Sequence, residues 1–205
     1  MTTPFSALPN NATPHLDSLV AISEATTDPL FVSQNMTIRQ LMTLARGFFF
    51  GSANYQDTAT AVTPIVGVGG VPYVLTNNGA GAQSYDDLPG AVTPLWVPGT
   101  SSFDFSSLNP IDILRVRIDL EVTTTAANQE VQIYLELGIG GIPYQAPLAS
   151  LTHKTAGTIA ASKYTMIHMA DLNTINNPAQ IKIVSVSATN VVVRGWAVDV
   201  DLRAL

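Results

Sequence analysis

The feature that most constrains the fold is a strict two-residue alternation near the middle of the chain. Leu114, Val116, Ile118, Leu120 and Val122 alternate with Arg115, Arg117, Asp119, Glu121 and Thr123. Side chains on a strand point to opposite faces in turn, so this run has one dry face and one wet face. Val131, Ile133, Leu135 and Leu137 repeat the pattern against Glu130, Gln132, Tyr134 and Glu136. With only a short Thr-Ala-Asn turn between them, the two runs are expected to form an antiparallel pair with one buried face.

The same period recurs up to the C-terminus. Trp196, Val198, Val200 and Leu202 alternate with Ala197, Asp199, Asp201 and Arg203. Further strands are predicted over 62–68, 71–76, 92–97, 163–170 and 180–188. Pro94 confines the third of these to an edge or a bulge. Loops rich in Asn, Gly and Asp separate them, the longest over 77–91, and no helix signal intervenes. Eight or so strands at this spacing predict an antiparallel β-sandwich or jelly roll over 56–205. So regular a final strand is expected in the centre of its sheet.

Residues 1–55 read differently and are taken as a separate N-terminal segment. Thr2 to Pro14 is rich in Pro, Asn and Thr and is expected to be extended. Short strands are predicted at Leu19–Ile22 and Leu30–Val32, around a turn at Thr26–Pro29. One short helix follows: Thr37 is its N-cap, Gln40 completes a capping box, and Ile38, Leu41, Met42 and Ala45 keep helical spacing up to Gly47. Phe48, Phe49 and Phe50 come next. A segment this short cannot bury three consecutive rings, so they are expected to pack on the β domain or on a neighbouring subunit.

Composition bears on what such a chain meets. Charged residues make up 12%, about half the roughly 25% usual for soluble domains. Small neutral side chains take their place, and a surface of that kind is cheap to desolvate against another subunit. A net charge of −6 argues against a general nucleic-acid binder and against docking on an anionic membrane. No cysteine is present, which removes disulfides and thiolate metal sites. No signal-peptide pattern opens the sequence, and no apolar run approaches the roughly 20 residues of a membrane span.

A search for chemistry gives no reaction centre. His15, His153 and His168 lack metal-ligand spacing. His168 alternates with Met166 and Ala170 and reads as a core or interface histidine. The run Gly67–Gly70 lacks the Gly-Lys-Ser/Thr of a phosphate loop. Asp119 and Glu121 share a strand face, as do Asp199 and Asp201, and Arg115, Arg117 and Arg203 are near in sequence. A cation site or a glycosidase-like acid pair is one reading. A charged outer face with cross-strand ion pairs is the expected one. Asp86 and Asp87 read as solvated loop acids rather than calcium ligands. Tyr55, Tyr73, Tyr85, Trp96 and Tyr144 are candidates for a sugar- or receptor-binding surface, set against ordinary packing. No catalytic residue, metal or cofactor is assigned, and the chain is expected not to be an enzyme.

The order of parts in the N-terminal segment carries a resemblance. Phe5-Ser6-Ala7-Leu8-Pro9 precedes the apolar stretches at Leu19–Ile22 and Leu30–Val32, and Met36-Thr37-Ile38-Arg39-Gln40-Leu41 follows. This resembles the N-terminal segment of tailed-bacteriophage virion proteins, where such parts precede a fibre, spike or knob. The β region looks like the trimeric jelly-roll heads of phage needles, head fibres and decoration proteins. The resemblance implies a homotrimer located in the virion and assembled in the host cytoplasm. Its partners would be the major capsid protein or tail proteins, with attachment through Leu30, Phe31, Ile38, Leu41, Phe48, Phe49 and Phe50. A capsid decoration (cement) or head-fibre role is the first expectation. A tail-fibre or spike knob that binds a host-surface receptor or glycan is the alternative.

Overall fold

A computed structural model describes residues 19–24, 32–37, 50–89 and 92–203. The chain divides into two compact units, Met1–Gly47 and Phe48–Leu205. In the first, strands β1 (Leu19–Glu24) and β2 (Val32–Thr37) pair antiparallel, from Leu19 opposite Thr37 to Glu24 opposite Val32. The second strand thus starts where the predicted Leu30–Val32 stretch ends. The predicted turn and helix lie outside the described residues.

The second unit is the β head. Its strands are β3 (Phe50–Gln56), β4 (Ile65–Gly67), β5 (Tyr73–Val74), β6 (Tyr85–Asp87), β7 (Trp96–Val97), β8 (Ser102–Phe103), β9 (Ile113–Thr124), β10 (Gln129–Leu137), β11 (Tyr144–His153), β12 (Gly157–His168), β13 (Gln180–Ser185) and β14 (Thr189–Asp201). A short helix, α1 (Leu172–Asn176), is capped by Asp171, whose side chain accepts from Thr174 N–H. That bond holds the Asp171 carboxyl below its ordinary range. Residues 50–55, grouped by sequence with the N-terminal segment, form most of β3 and belong to the head's larger sheet.

Two antiparallel sheets make the sandwich. One runs β11-β10-β13-β5. The other runs β12-β9-β14-β3-β6, with β4 also beside β14. The predicted β-sandwich is therefore the fold, and the last strand is central to the larger sheet.

The expected β9–β10 pair is corrected by this topology. β9 hydrogen-bonds to β12 and β14, whereas β10 hydrogen-bonds to β11 and β13. Alternation specifies which face of a strand is dry, not which neighbour it pairs with. Here the two dry faces belong to different sheets, with Leu114, Val116, Ile118, Leu120 and Val122 in one and Val131, Ile133, Leu135 and Leu137 in the other. All are 1% exposed or less. The turn after Thr124 crosses between sheets, with Asn128 in the left-handed region that Asn tolerates (φ 56°).

Aromatic rings fill one end of the interior. Trp96 meets Phe103 and Trp196 edge to face at centroid distances of 4.9 and 5.5 Å, and Phe103 stacks on Phe105 at 5.8 Å. Such pairs add about 0.5–1.5 kcal/mol beyond their burial. Loops are pinned by buried polar groups. Asp57 accepts from the Thr60 N–H and hydroxyl, both at 2.7 Å, and from Asn78 N–H at 2.8 Å.

The register of β14 against β9 shifts between Val193 and Gly195. A Cβ at Gly195 would lie 2.8 Å from the Tyr55 carbonyl oxygen and 3.1 Å from Gln56 Cα. Both contacts are backbone, so the pairing of β14 with β3 must open to admit a side chain. Gly195→Ala is expected to cost about 1–3 kcal/mol, read as a lower urea midpoint. An unchanged midpoint would show that this approach is not a constraint.

Candidate functional site

The outward face of the six-stranded sheet gathers the largest set of functional side chains. Two adjacent cross-strand rows define it. Tyr164, Arg117, Ala197, Asn54 and Tyr85 lie in register across β12, β9, β14, β3 and β6. In the next row stand Met166, Arg115, Asp199, Ser52 and Asp87. Alternation puts these residues outside because their chain neighbours, such as Val116, Ile118, Val198 and Ala53, are buried. Ala197 is small, and the sheet dips there into a depression of about 360 Å³ between Arg117, Tyr164 and Tyr85. Phe50, at the start of β3, points to the same side and is 46% exposed.

Charges on this face largely satisfy one another. Arg117 Nε donates to Asp119 at 3.0 Å, and Arg194 donates from two nitrogens to Glu121, the shorter bond at 2.6 Å. Arg115 and Arg203 both approach Asp201, at 3.9 and 3.4 Å. Of the expected cross-strand ion pairs, Arg115–Asp201 and Arg194–Glu121 join neighbouring strands, whereas Arg117–Asp119 and Arg203–Asp201 form between residues two apart along the chain. Arg194 was not among the arginines named from sequence, and Asp199 has no ion pair among the described residues. Among the described residues, no group of three or more His, Cys, Asp or Glu is arranged to hold a metal ion. Asp86 hydrogen-bonds to Tyr55 rather than standing free in a loop, and both it and Asp87 belong to β6.

The five aromatic candidates do not converge. Tyr55 and Trp96 are buried, and the Trp96 indole N–H donates to the Asn77 carbonyl at 2.9 Å. Tyr73 packs against the core and bonds Thr189. Tyr144 lies in the other sheet and bonds Thr174. Only Tyr85 reaches the outer face. Tyr164 and Met166, which sequence reading passed over, stand there with it. Their signal was the alternation with Thr165 and Ile167 on β12. His168 ends β12 on this face and is exposed, whereas His153 is buried at the end of β11, opposite Gln129. Of the predicted attachment residues, Leu30, Phe31, Ile38, Leu41, Phe48 and Phe49 lie outside the described residues.

No family model matches the chain, and neither does any curated protein. Among solved structures, it is similar to the VP2 protein of infectious bursal disease virus, as a D431N mutant in derived T=1 particles. There the identity is 14% and the TM-score 0.42, covering 89% of this chain and 36% of the other. It is similar also to the Eiger TNF of S. frugiperda, with 8% identity and a TM-score of 0.42, covering 77% of this chain and 95% of the other. The chain spans just over a third of the VP2 chain's length. At these scores the likenesses assign no family.

Two measurements test the electrostatics. The Tyr55 hydroxyl donates to Asp86 at 3.2 Å and accepts from Leu95 N–H at 3.1 Å. Burial, and then the charge of Asp86, push its ionisation up to about 12. An unfolded tyrosine ionises near pH ~10. The neutral phenol's contribution is therefore intact below that pH and is lost as pH rises from about 10 towards 12. The urea midpoint is expected to fall over that window, with a smaller fall in Tyr55→Phe. Separately, a double-mutant cycle on Arg194 and Glu121 is expected to give a coupling of about 0.2–1 kcal/mol, since both side chains are partly exposed.

Proposed function

We propose that the chain is a non-enzymatic virion structural protein, a capsid decoration or head-fibre protein of a bacteriophage. Its N-terminal segment attaches, and its jelly roll is displayed as a homotrimer. The observation that carries this reading is the division at Gly47 into a small unit and a β head, joined to the order of parts in the N-terminal sequence. The chain enters the head at Phe50, opposite Asp201 and so at the end where β14 finishes. Gly67, Thr189, Thr124 and Gly157 share one row at the other end, where four turns cluster. Entry of the chain at one end of the head, with four turns clustered at the other, suits display from a surface. Attachment by an extended segment needs buried area and backbone pairing, not a catalytic group, and several copies add avidity. Among the described residues, no helix is long and apolar enough to cross a membrane.

Removing residues 1–47 is expected to leave a folded β head that no longer joins particles. Co-sedimentation with virions lacking the protein reads this directly. A truncated chain that still decorated particles would overturn the attachment role.

One observation favours a second reading, a tail-fibre or spike knob that touches a host surface. Val66, Val68, Val71 and Val186 are 73%, 67%, 54% and 72% exposed. They sit around the turns at the end away from Phe50, where Gly70 N–H bonds the Ser185 carbonyl at 2.7 Å. Val68→Asp with Val186→Asp is expected to abolish adsorption to host cells on this reading and to leave particle decoration intact on the first.

A further inference from the structure

We propose that the outward face of the six-stranded sheet is where copies of this chain pack on one another, the β6 margin of one copy against the β9–β12 margin of the next. This locates the contact of the trimer proposed above and rests on that reading only for the number of copies.

Composition is the first support. Phe50, Tyr85, Tyr164 and Met166 are 46–56% exposed on this one face, and arginines stand among them. Aromatic residues, Met and Arg are the types enriched where subunits meet. Their large apolar surfaces gain most from being covered.

Charge identifies the occupant. Each arginine in the middle of the sheet pairs with an acid of the same chain, and Asp199 stands in register with Arg115, so the centre carries no net charge against a second copy. What is left over is complementary. Asp87 is exposed on β6 and has no partner among the described residues. Arg117 commits only its Nε to Asp119, and its side chain is 51% exposed, which leaves the Nη donors available. The two residues stand three strands apart in the sheet, about 14 Å at the usual spacing. They cannot meet within one chain, whereas two copies laid margin to margin bring them together.

Shape agrees with charge. The depression over Ala197 lies beside Arg117. An aromatic ring from the neighbour's β6 margin, where Tyr85 stands, fits against that guanidinium, a favourable cation–π arrangement. A contact between unlike margins is heterologous, so repeated copies run on past a pair, and a rotation of one third of a turn per copy closes them into a ring of three.

Light scattering on a sizing column, with the full chain, tests this. The wild type is expected at about three times 21.7 kDa. Asp87→Arg and Arg117→Glu are each expected to shift the mass towards a single copy, and their combination on one chain to restore it. Tyr164→Ser, which leaves every charge in place, is expected to weaken the assembly too. Gln132→Arg, on the outer face of the other sheet, is the control and keeps the wild-type mass. Circular dichroism confirms that each variant is folded. If the single variants and Tyr164→Ser all keep the wild-type mass, the face is not the contact and the trimer reading stands. A double swap that stays monomeric overturns the pairing of the two margins. A monomeric wild type overturns both the face and the trimer.

Discussion

The head depends on the pairing of its last strand with elements from both ends of the domain. β14 lies between β9 and β3 and also takes β4, so it closes the larger sheet. Its inward residues, Val191, Val193, Trp196, Val198 and Val200, are each 1% exposed or less. With the five equally buried residues of β9 beside it, this strand forms the middle of the sheet's dry face. The exit from β14 is fastened as well. Asp112, just before β9, is buried and accepts from Arg203 N–H at 2.8 Å. Because β3 opens the head and β14 ends it, their pairing spans nearly the whole domain. Contacts this distant in sequence form late and slowly. Until β14 is in place, the inward faces of β3 and β9 lack the strand that joins them.

How much of this was legible follows from how burial writes itself into a sequence. β9, β10 and β14 were readable because each has one dry face, and a dry face appears as alternation. Partners were not readable, because the alternation of β9 and β10 suits a hydrogen-bonded pair and a facing pair equally well. β11 left almost no signal. It is an edge strand with Pro147 in it and a register shift opposite, and most of its residues are at least partly exposed. β4 to β8 are two or three residues long, too short for a period. They exist because loops such as 57–64 and 75–84 are held by Asp57, Asn77 and Asn78 rather than by their own propensity.

The outer face shows the same division. The charges on β9 and β14 were read as cross-strand ion pairs, which holds for Arg115–Asp201 and Arg194–Glu121, whereas Arg117–Asp119 and Arg203–Asp201 form between residues two apart along the chain. Tyr85, Tyr164 and Met166 could not be joined from sequence. They come from β6 and β12, the two edges of the sheet, and only the strand order places them in two adjacent rows. Tyr55 and Trp96 show the converse. Both were candidates for a binding surface, yet Tyr55 faces inward on β3 and Trp96 closes on Trp196. Whether a ring is a contact or a core residue is decided by strand parity, not by ring chemistry.

That parity also sets the charges of the larger sheet side by side on its outer face. Most of the described ionisable groups on the outer face of the larger sheet are used within it. Salt screens exposed pairs, and each contributes little to folding. Their effect is larger on what the surface can meet. Four arginines held by Asp119, Glu121 and Asp201, with Asp199 in register beside Arg115, leave the middle of a broad sheet without net charge, while exposed rings remain at its margins. Water is then cheaper to remove from that face than from one carrying the same residues unpaired, since an unpaired charge must be desolvated alone. The internal ion pairs therefore matter most as a condition of contact, and the stability they add to a single chain is secondary.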